Sequence, residues 1–195
     1  MSVFVAEELS DLLNTRVTIG RINIGLLNRI IIDDVLLDDQ DEQEMLKVTR
    51  LSAKFDIMPF FKGKISISSV QLFGFNINLQ KKTPDSPPNF KFVLDAFASN
   101  DTVKKDNSLD LRINSILIRR GRMAYHVLSE EETPGKFNAK HVQLQNIIAN
   151  ISLKAMSRDS LNLGIKRLSF DEKASGFSLK KMSLKLVAND KRTNI

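Results

Sequence analysis

The chain has no cysteine, no tryptophan and a single tyrosine, and only five prolines punctuate its 195 residues. Without cysteine there are no disulfides, no thiolate nucleophile and no Cys-ligated metal, and the cytosol and a bacterial periplasm suit the chain equally. Long apolar runs are missing too. Ile30–Ile32 and Val35–Leu37 each stop at three residues, far short of the roughly 20 needed to cross a bilayer. Met1-Ser2 leads directly into an amphipathic stretch, Val3 to Leu13, with neither the basic start nor the apolar core of a signal peptide. Histidine is scarce, at two residues, and neither His126 nor His141 has a second His, Glu or Cys at a sequence spacing that suits a metal. No nucleophile elbow or dinucleotide fingerprint occurs. Gly20 and Gly25 have the separation of P-loop glycines, but Leu26 and Leu27 stand where Lys and Ser/Thr are required. These absences predict no catalytic, metal or cofactor residues.

What the chain does have is a repeated eight-residue pattern: two apolar residues two apart, a three-residue step, then two more two apart. It runs through Val17, Ile19, Ile22, Ile24, through Leu46, Val48, Leu51, Ala53, through Ile65, Ile67, Val70, Leu72, and through Leu111, Ile113, Ile116, Ile118. Looser copies are Phe137, Ala139, Val142, Leu144, then Leu163, Ile165, Leu168, Phe170, then Phe177, Leu179, Met182, Leu184. Side chains alternate faces along a strand, so each pair shares a face and the three-residue step switches phase. A strand stays apolar on one surface through such a step only with a bulge or bend, expected near Gly20-Arg21 and Ser68-Ser69. The pattern predicts a mainly β fold, a long curved antiparallel sheet with one continuous apolar face.

Helical spacing of Leu9, Leu12 and Leu13 predicts a short helix at 3–13, a lid at the sheet's first edge. Strands are expected at 16–24, 29–37, 46–57, 64–72, 74–80, 109–118, 122–128, 137–154, 160–171 and 176–188. Gly74 is read as a bend between two of them, and residues 25–28 as a hairpin turn. Prolines 84, 87 and 88 make Lys81–Asn89 a loop, with a second short helix at 90–98. The polar stretch 99–108 is the one soft internal boundary. Residues 1–100 carry 11 Lys+Arg against 13 Asp+Glu, and residues 101–195 carry 18 against 10, so the net charge of +6 belongs to the second half. Lys and Arg alternate there with apolar residues, as on a solvated strand face, and aromatics are too few for nucleic-acid stacking. The cluster Arg119, Arg120, Arg122 around Gly121 reads as a strand-end turn. Seven carboxylates between Asp33 and Glu44 have the charge for calcium but lack its sharp-turn glycine, so they read as an acidic hairpin turn.

The succession "LLNTRVTIGRINI", "RIIIDDVLLDDQDEQEMLKVTRLSAKFDIMPFFKGKISISSVQLFGFNINL" and "NFKFVLDAF" resembles the N-terminal region of the AsmA-like superfamily, in its TamB branch. The matching positions are Ile19 and Gly20, Asp33 to Asp41, Asp56, Pro59 to Lys64, Ile65 to Leu79, and Asn89-Phe90, so the similarity covers residues 5–98. It implies a non-catalytic segment of an inter-membrane bridge, anchored in the bacterial inner membrane and extending through the periplasm. Its apolar groove would serve phospholipid transport and assembly of outer-membrane proteins, in partnership with an Omp85-type outer-membrane barrel. Residues 1–195 would then be the N-terminal part of a larger protein, beginning just after the anchor and stopping mid-sheet. Self-association through the last strand would be an artefact of an exposed edge. The candidate groove-lining residues are Ile65, Ile67, Val70, Leu72, Ile77, Leu79, Leu111, Ile113, Ile116 and Ile118. The occupants would be acyl chains or nascent outer-membrane proteins, with no nucleic acid. The competing expectation is a closed β-module whose own side chains fill the groove.

Overall fold

A computed structural model describes the chain apart from residues 1, 27, 56–64, 101–108, 111–113, 158–159, 190–191 and 195, with backbone only at 55, 65–67, 97–100, 109–110, 153–157, 160–161, 188–189 and 192–194. The element order is α1 (Ser2–Leu13), β1 (Val17–Gly25), β2 (Arg29–Asp38), β3 (Glu44–Phe55), β4 (Ile65–Lys81), α2 (Lys91–Asn100), β5 (Leu109–Asp110), β6 (Ser115–Val127), β7 (His141–Ser157), β8 (Ser160–Glu172), β9 (Ser178–Asn189) and β10 (Arg192–Asn194). All described strands join one open sheet in the order β1-β2-β3-β4-β6-β7-β8-β9-β10, with the two-residue β5 beside β4. The mainly β expectation holds. The sheet is mixed, however, because β4 pairs with β6 in parallel while its other long neighbours are antiparallel. The physical reason is the connection from 82 to 114. It holds the prolines and α2, a crossover long enough for β6 to start from the same end as β4, as any parallel pair requires.

The three-residue step explains the sheet's shape. The β1–β2, β2–β3 and β3–β4 ladders each skip one rung, at Gly20/Asp34, Asp34/Thr49 and Thr49/Gly74, without losing register. The parallel β4–β6 ladder skips residues 74–75 against 120–121 at the same level. Farther on, the line continues as register shifts between Ile118 and Met123, Gln145 and Ile148, and Ile165 and Phe170. Asp34, Gly74, Arg120 and Asn146 have φ of 58°, 64°, 54° and 55° on this line. A left-handed residue rotates the strand after it, which resets the face alternation. From β1 to β7 the phase switch of each long strand therefore falls on one seam crossing the sheet, whereas β8 takes its three-residue step one rung away, at Ile165–Leu168. Ser68 is likewise an extra residue, since Lys54 faces Ser69 and Phe55 faces Ile67. The bulge expected there is present, and at Gly20 the rung is broken.

Several expected boundaries move because the seam bends strands without ending them. Gly74 is a kink inside the single strand β4, where a Cβ would lie 2.7 Å from Thr49 Oγ1. Arg119 to Arg122 is the middle of β6 and not a turn. Gly121 there leaves room for the Phe75 ring. Phe137 and Ala139 precede β7, so the fifth copy of the pattern is half turn, and Phe137 is 65% exposed. Of the stretch 99–108, residues 99–100 close α2 and 101–108 lie outside the described residues.

The acidic hairpin forms as expected, and Asp33, Asp38, Asp39 and Asp41 have partners within the protein. Asp39, 1% exposed, accepts from the N–H groups of Asp41 and Gln43, and from the Asn89 side-chain amide at 3.0 Å. Asn89 also pairs with Gln80 through N–H···O bonds in both directions, which staples the proline loop to β4. Behind it Phe90, Phe92, Val93 and Ala96 pack with Leu9 of α1 on a core of Leu13, Val17, Leu37 and Met45. Both helices thus cover one end of the apolar face, on the acidic-hairpin side of the seam. Val3 and Phe4 of α1 are 66% and 63% exposed.

Candidate functional site

Beyond the seam the apolar face continues, and among the described residues no helix lies on it. Hydrogen-bonded neighbours across the eight long strands read Ile22, Ile32, Leu51, Leu72, Ile118, Ala149, Leu168 and Met182 in one row. The next row, two residues along each strand and three along β8, reads Ile24, Ile30, Ala53, Val70, Ile116, Ile151, Ile165 and Leu184. All sixteen positions are apolar. Of them only Ala53 and Ala149 are buried, and Ile24 is 79% exposed. Among the described residues no second sheet lies over these rows, since every strand belongs to the one sheet.

The seam is the floor of this trough. Val48, Phe75 and Ile147 are 3%, 6% and 8% exposed, and they pack with Val35, Leu51, Leu72, Ile118 and Phe170. Strands at about 4.8 Å spacing make an eight-strand row roughly 34 Å long. That exceeds the ~15 Å that one acyl chain spans in half of a bilayer's ~30 Å hydrocarbon core.

The structure brings Val70, Leu72, Ile116 and Ile118 side by side, as Val70↔Ile116 and Leu72↔Ile118 register partners. All four are half-buried. Ile77 and Leu79 lie across the seam, where Ile77 faces Leu46 and Met123 and packs against the buried floor. Both residues lie on the acidic-hairpin side of the seam. Ile65 and Ile67 open β4 on the backbone, and Leu111 and Ile113 lie outside the described residues. The row members on β7, β8 and β9 were legible as pattern positions or apolar alternation but were not read as lining. The matching step on β2, Ile32 to Val35, went unread as well, although Ile30, Ile32, Val35 and Leu37 repeat the same spacing.

Set against known proteins, the chain matches no family model and no curated protein.

The polar face opposite the trough is built differently. Arg21, Asp33, Arg50, Phe73 and Arg119 form a cross-strand row. Asp33, 5% exposed, accepts from Arg50 Nε at 2.6 Å and Nη2 at 3.2 Å. The Arg50 hydrogen bonds hold its carboxyl below the usual range, against the opposing effect of burial. Arg120 lies 5.1 Å over the Phe73 ring. Beside it a cleft of about 420 Å³ is lined by Lys47, Arg120, Arg122, Thr49, Asn76 and Asn146. One buried acid lies at the far end of the sheet. Burial alone would raise the Glu172 carboxyl, but hydrogen bonds from Ser175 Oγ and from the N–H groups of Ser175, Ala174 and Gln143 outweigh it and bring it down to about 2. Its role is to close the β8–β9 turn. Finally, His126 and His141 face each other across the β6–β7 pair.

Proposed function

We propose that this chain is a non-catalytic carrier segment whose open apolar trough holds phospholipid acyl chains. The observation that carries the reading is the pair of eight-residue apolar rows, in which all but Ala53 and Ala149 keep contact with solvent. A soluble monomer rarely leaves such a band bare, because its largest exposed apolar patch is usually about 300–600 Å². Acyl chains lying end to end across the strands would cover it. The trough is open at both sheet edges, so it has the form of a passage more than of a pocket. In the TamB-like reading this passage is one stretch of a longer periplasmic groove. It would be anchored to the inner membrane, continue toward an Omp85-type outer-membrane barrel, and serve lipid transport and outer-membrane protein assembly.

Substitutions on the two sides of the seam test it. Ile116→Asp places a carboxylate on the open row, where it stays in contact with water, so the melting temperature should fall by no more than about 2–4 °C, the equivalent of ~1 kcal/mol. Ile147→Asp puts the same charge into the buried floor and should cost several kcal/mol. Binding of a fluorescent phospholipid analogue, measured on the folded Ile116→Asp variant, should drop at least ten-fold. Severe destabilisation by Ile116→Asp, or unchanged lipid binding, would instead establish a closed β-module without cargo.

A further inference from the structure

We infer that His126, His141 and Glu132 form a binding site for a divalent transition metal of the zinc class, independent of the trough. His126 and His141 are register partners at the turn end of β6 and β7. Their Nδ1 atoms are 3.0 Å apart. Glu132, in the connecting turn, places Oε1 3.9 Å from His126 Nδ1 and 4.0 Å from His141 Nδ1. A triangle with these three sides has its centre about 2.1 Å from every corner, within the roughly 2.0–2.2 Å at which zinc holds imidazole nitrogen and carboxylate oxygen. No other group of three or more His, Asp or Glu among the described residues meets so closely.

The surroundings prepare the site. His141 is 9% exposed in its side chain, and its Nε2–H donates to the Glu130 carbonyl at 2.9 Å. A carbonyl only accepts, so in the neutral ring the proton sits on Nε2 and the Nδ1 lone pair is free to ligate. This backbone hydrogen bond is how metal-bound histidines are usually oriented. Without an ion the two rings meet Nδ1 to Nδ1 and share one proton. Ligation moves the His126 proton from Nδ1 to Nε2 and turns its ring off that line, with no net proton loss when both rings are neutral. His126 is 24% and Glu132 66% exposed in the side chain, so both are free to close on the anchored His141. The turn itself is braced by Lys140 Nζ on Glu130 at 2.6 Å and by Asn138 Nδ2 on the Glu131 carbonyl at 3.1 Å. A cavity of about 260 Å³, lined in part by Glu132, His141 and Lys173, borders the cluster and leaves room for water at the remaining coordination position. Two imidazoles and one carboxylate suit zinc, and they offer little to magnesium or calcium, which take oxygen ligands.

The test is calorimetric titration of the full, tag-free chain with ZnCl2, with MgCl2 as the comparison ion and Co(II) as a spectroscopic probe. The expected result has three parts: one zinc per chain at micromolar or tighter affinity, a visible Co(II) spectrum of tetrahedral type, and no magnesium heat. His126→Gln and Glu132→Gln should each weaken binding at least ten-fold and remove the zinc-dependent rise in melting temperature. Glu131→Gln, next door, should do neither. Circular dichroism of each variant establishes that it is folded, and both test residues lie where water reaches them. Failure to bind zinc below 100 µM, or binding that survives either the His126 or the Glu132 substitution, overturns the site.

Discussion

Replacing Gly121 with alanine is the sharpest probe of how the sheet is built. An ideal Cβ at this position would stand 2.3 Å from Phe75 Cε1, 2.4 Å from Cζ and 3.1 Å from Ile147 Cβ. Non-bonded carbons settle near 3.5–4.0 Å, so the ring must retreat by more than ~1 Å. Phe75 has little room to retreat, being 6% exposed against Val48 and Ile147. Overpacking of this kind costs about 1–3 kcal/mol, and the depth of the clash places Gly121→Ala near ~3 kcal/mol. For a chain of this size that lowers the melting temperature by about 6–12 °C. Backbone strain adds nothing, because Gly121 is not among the positive-φ residues. Phe75→Leu deletes the two colliding ring atoms and by itself loses about 1–2 kcal/mol of packing. In the double variant the new methyl occupies the space of the vanished ring edge, so its stability should equal that of Phe75→Leu alone. The cycle then shows a coupling of about 3 kcal/mol, read from urea unfolding followed by far-UV circular dichroism. Additivity within ~0.5 kcal/mol would refute the claim that Phe75 occupies the missing side chain of Gly121.

Acid titration should isolate Glu172 and Asp33. The Glu172 carboxyl is lowered from 4.5 to about 2, so its contribution is complete above pH ~4.5 and is lost as pH falls toward 2. That contribution is on the order of 3 kcal/mol at neutral pH. Glu172→Gln should therefore be clearly less stable than wild type at pH 7 and about equal to it at pH 2, by chemical unfolding at each pH. An equal deficit at both would reject the charge as the cause. Asp33 is likewise depressed, so Arg50→Met should lower the unfolding midpoint above pH ~4 and lose its effect in strong acid. Loss of the same size at every pH would mean that Arg50 acts by packing.

Strand identity was readable because Val17 to Ile24 or Leu163 to Phe170 carry face alternation in their own residues. Register was not readable, since it is a property of pairs. Nothing within Leu46 to Ala53 says that Leu51 faces both Ile32 and Leu72. The parallel β4–β6 junction was hidden for a related reason: the path of a connection leaves no periodic trace in the strands it joins. Four of the ten candidate lining residues, Val70, Leu72, Ile116 and Ile118, stand in the two rows as register partners. Ile77 and Leu79 stand across the seam from those four, a separation set by the ladder and not by the spacing within β4 alone. The histidines were judged by their separation along the chain, whereas 126 and 141 flank the expected turn at 130–136 almost symmetrically. Mirroring the chain about that turn would have paired them.

In a strand of plain alternation, sliding a neighbour by one residue turns its apolar face to water, but sliding by two restores the pattern and goes unpunished. Here a two-residue slip carries one strand's phase switch past its neighbour's. Between the two misplaced switches, residues such as Asp33 or Arg50 would then point into the trough beside Ile and Leu. The line of kinks therefore works as a registration mark. It makes every slip shorter than a whole pattern costly, and an added strand needs only one correctly placed step to find its place on the growing edge.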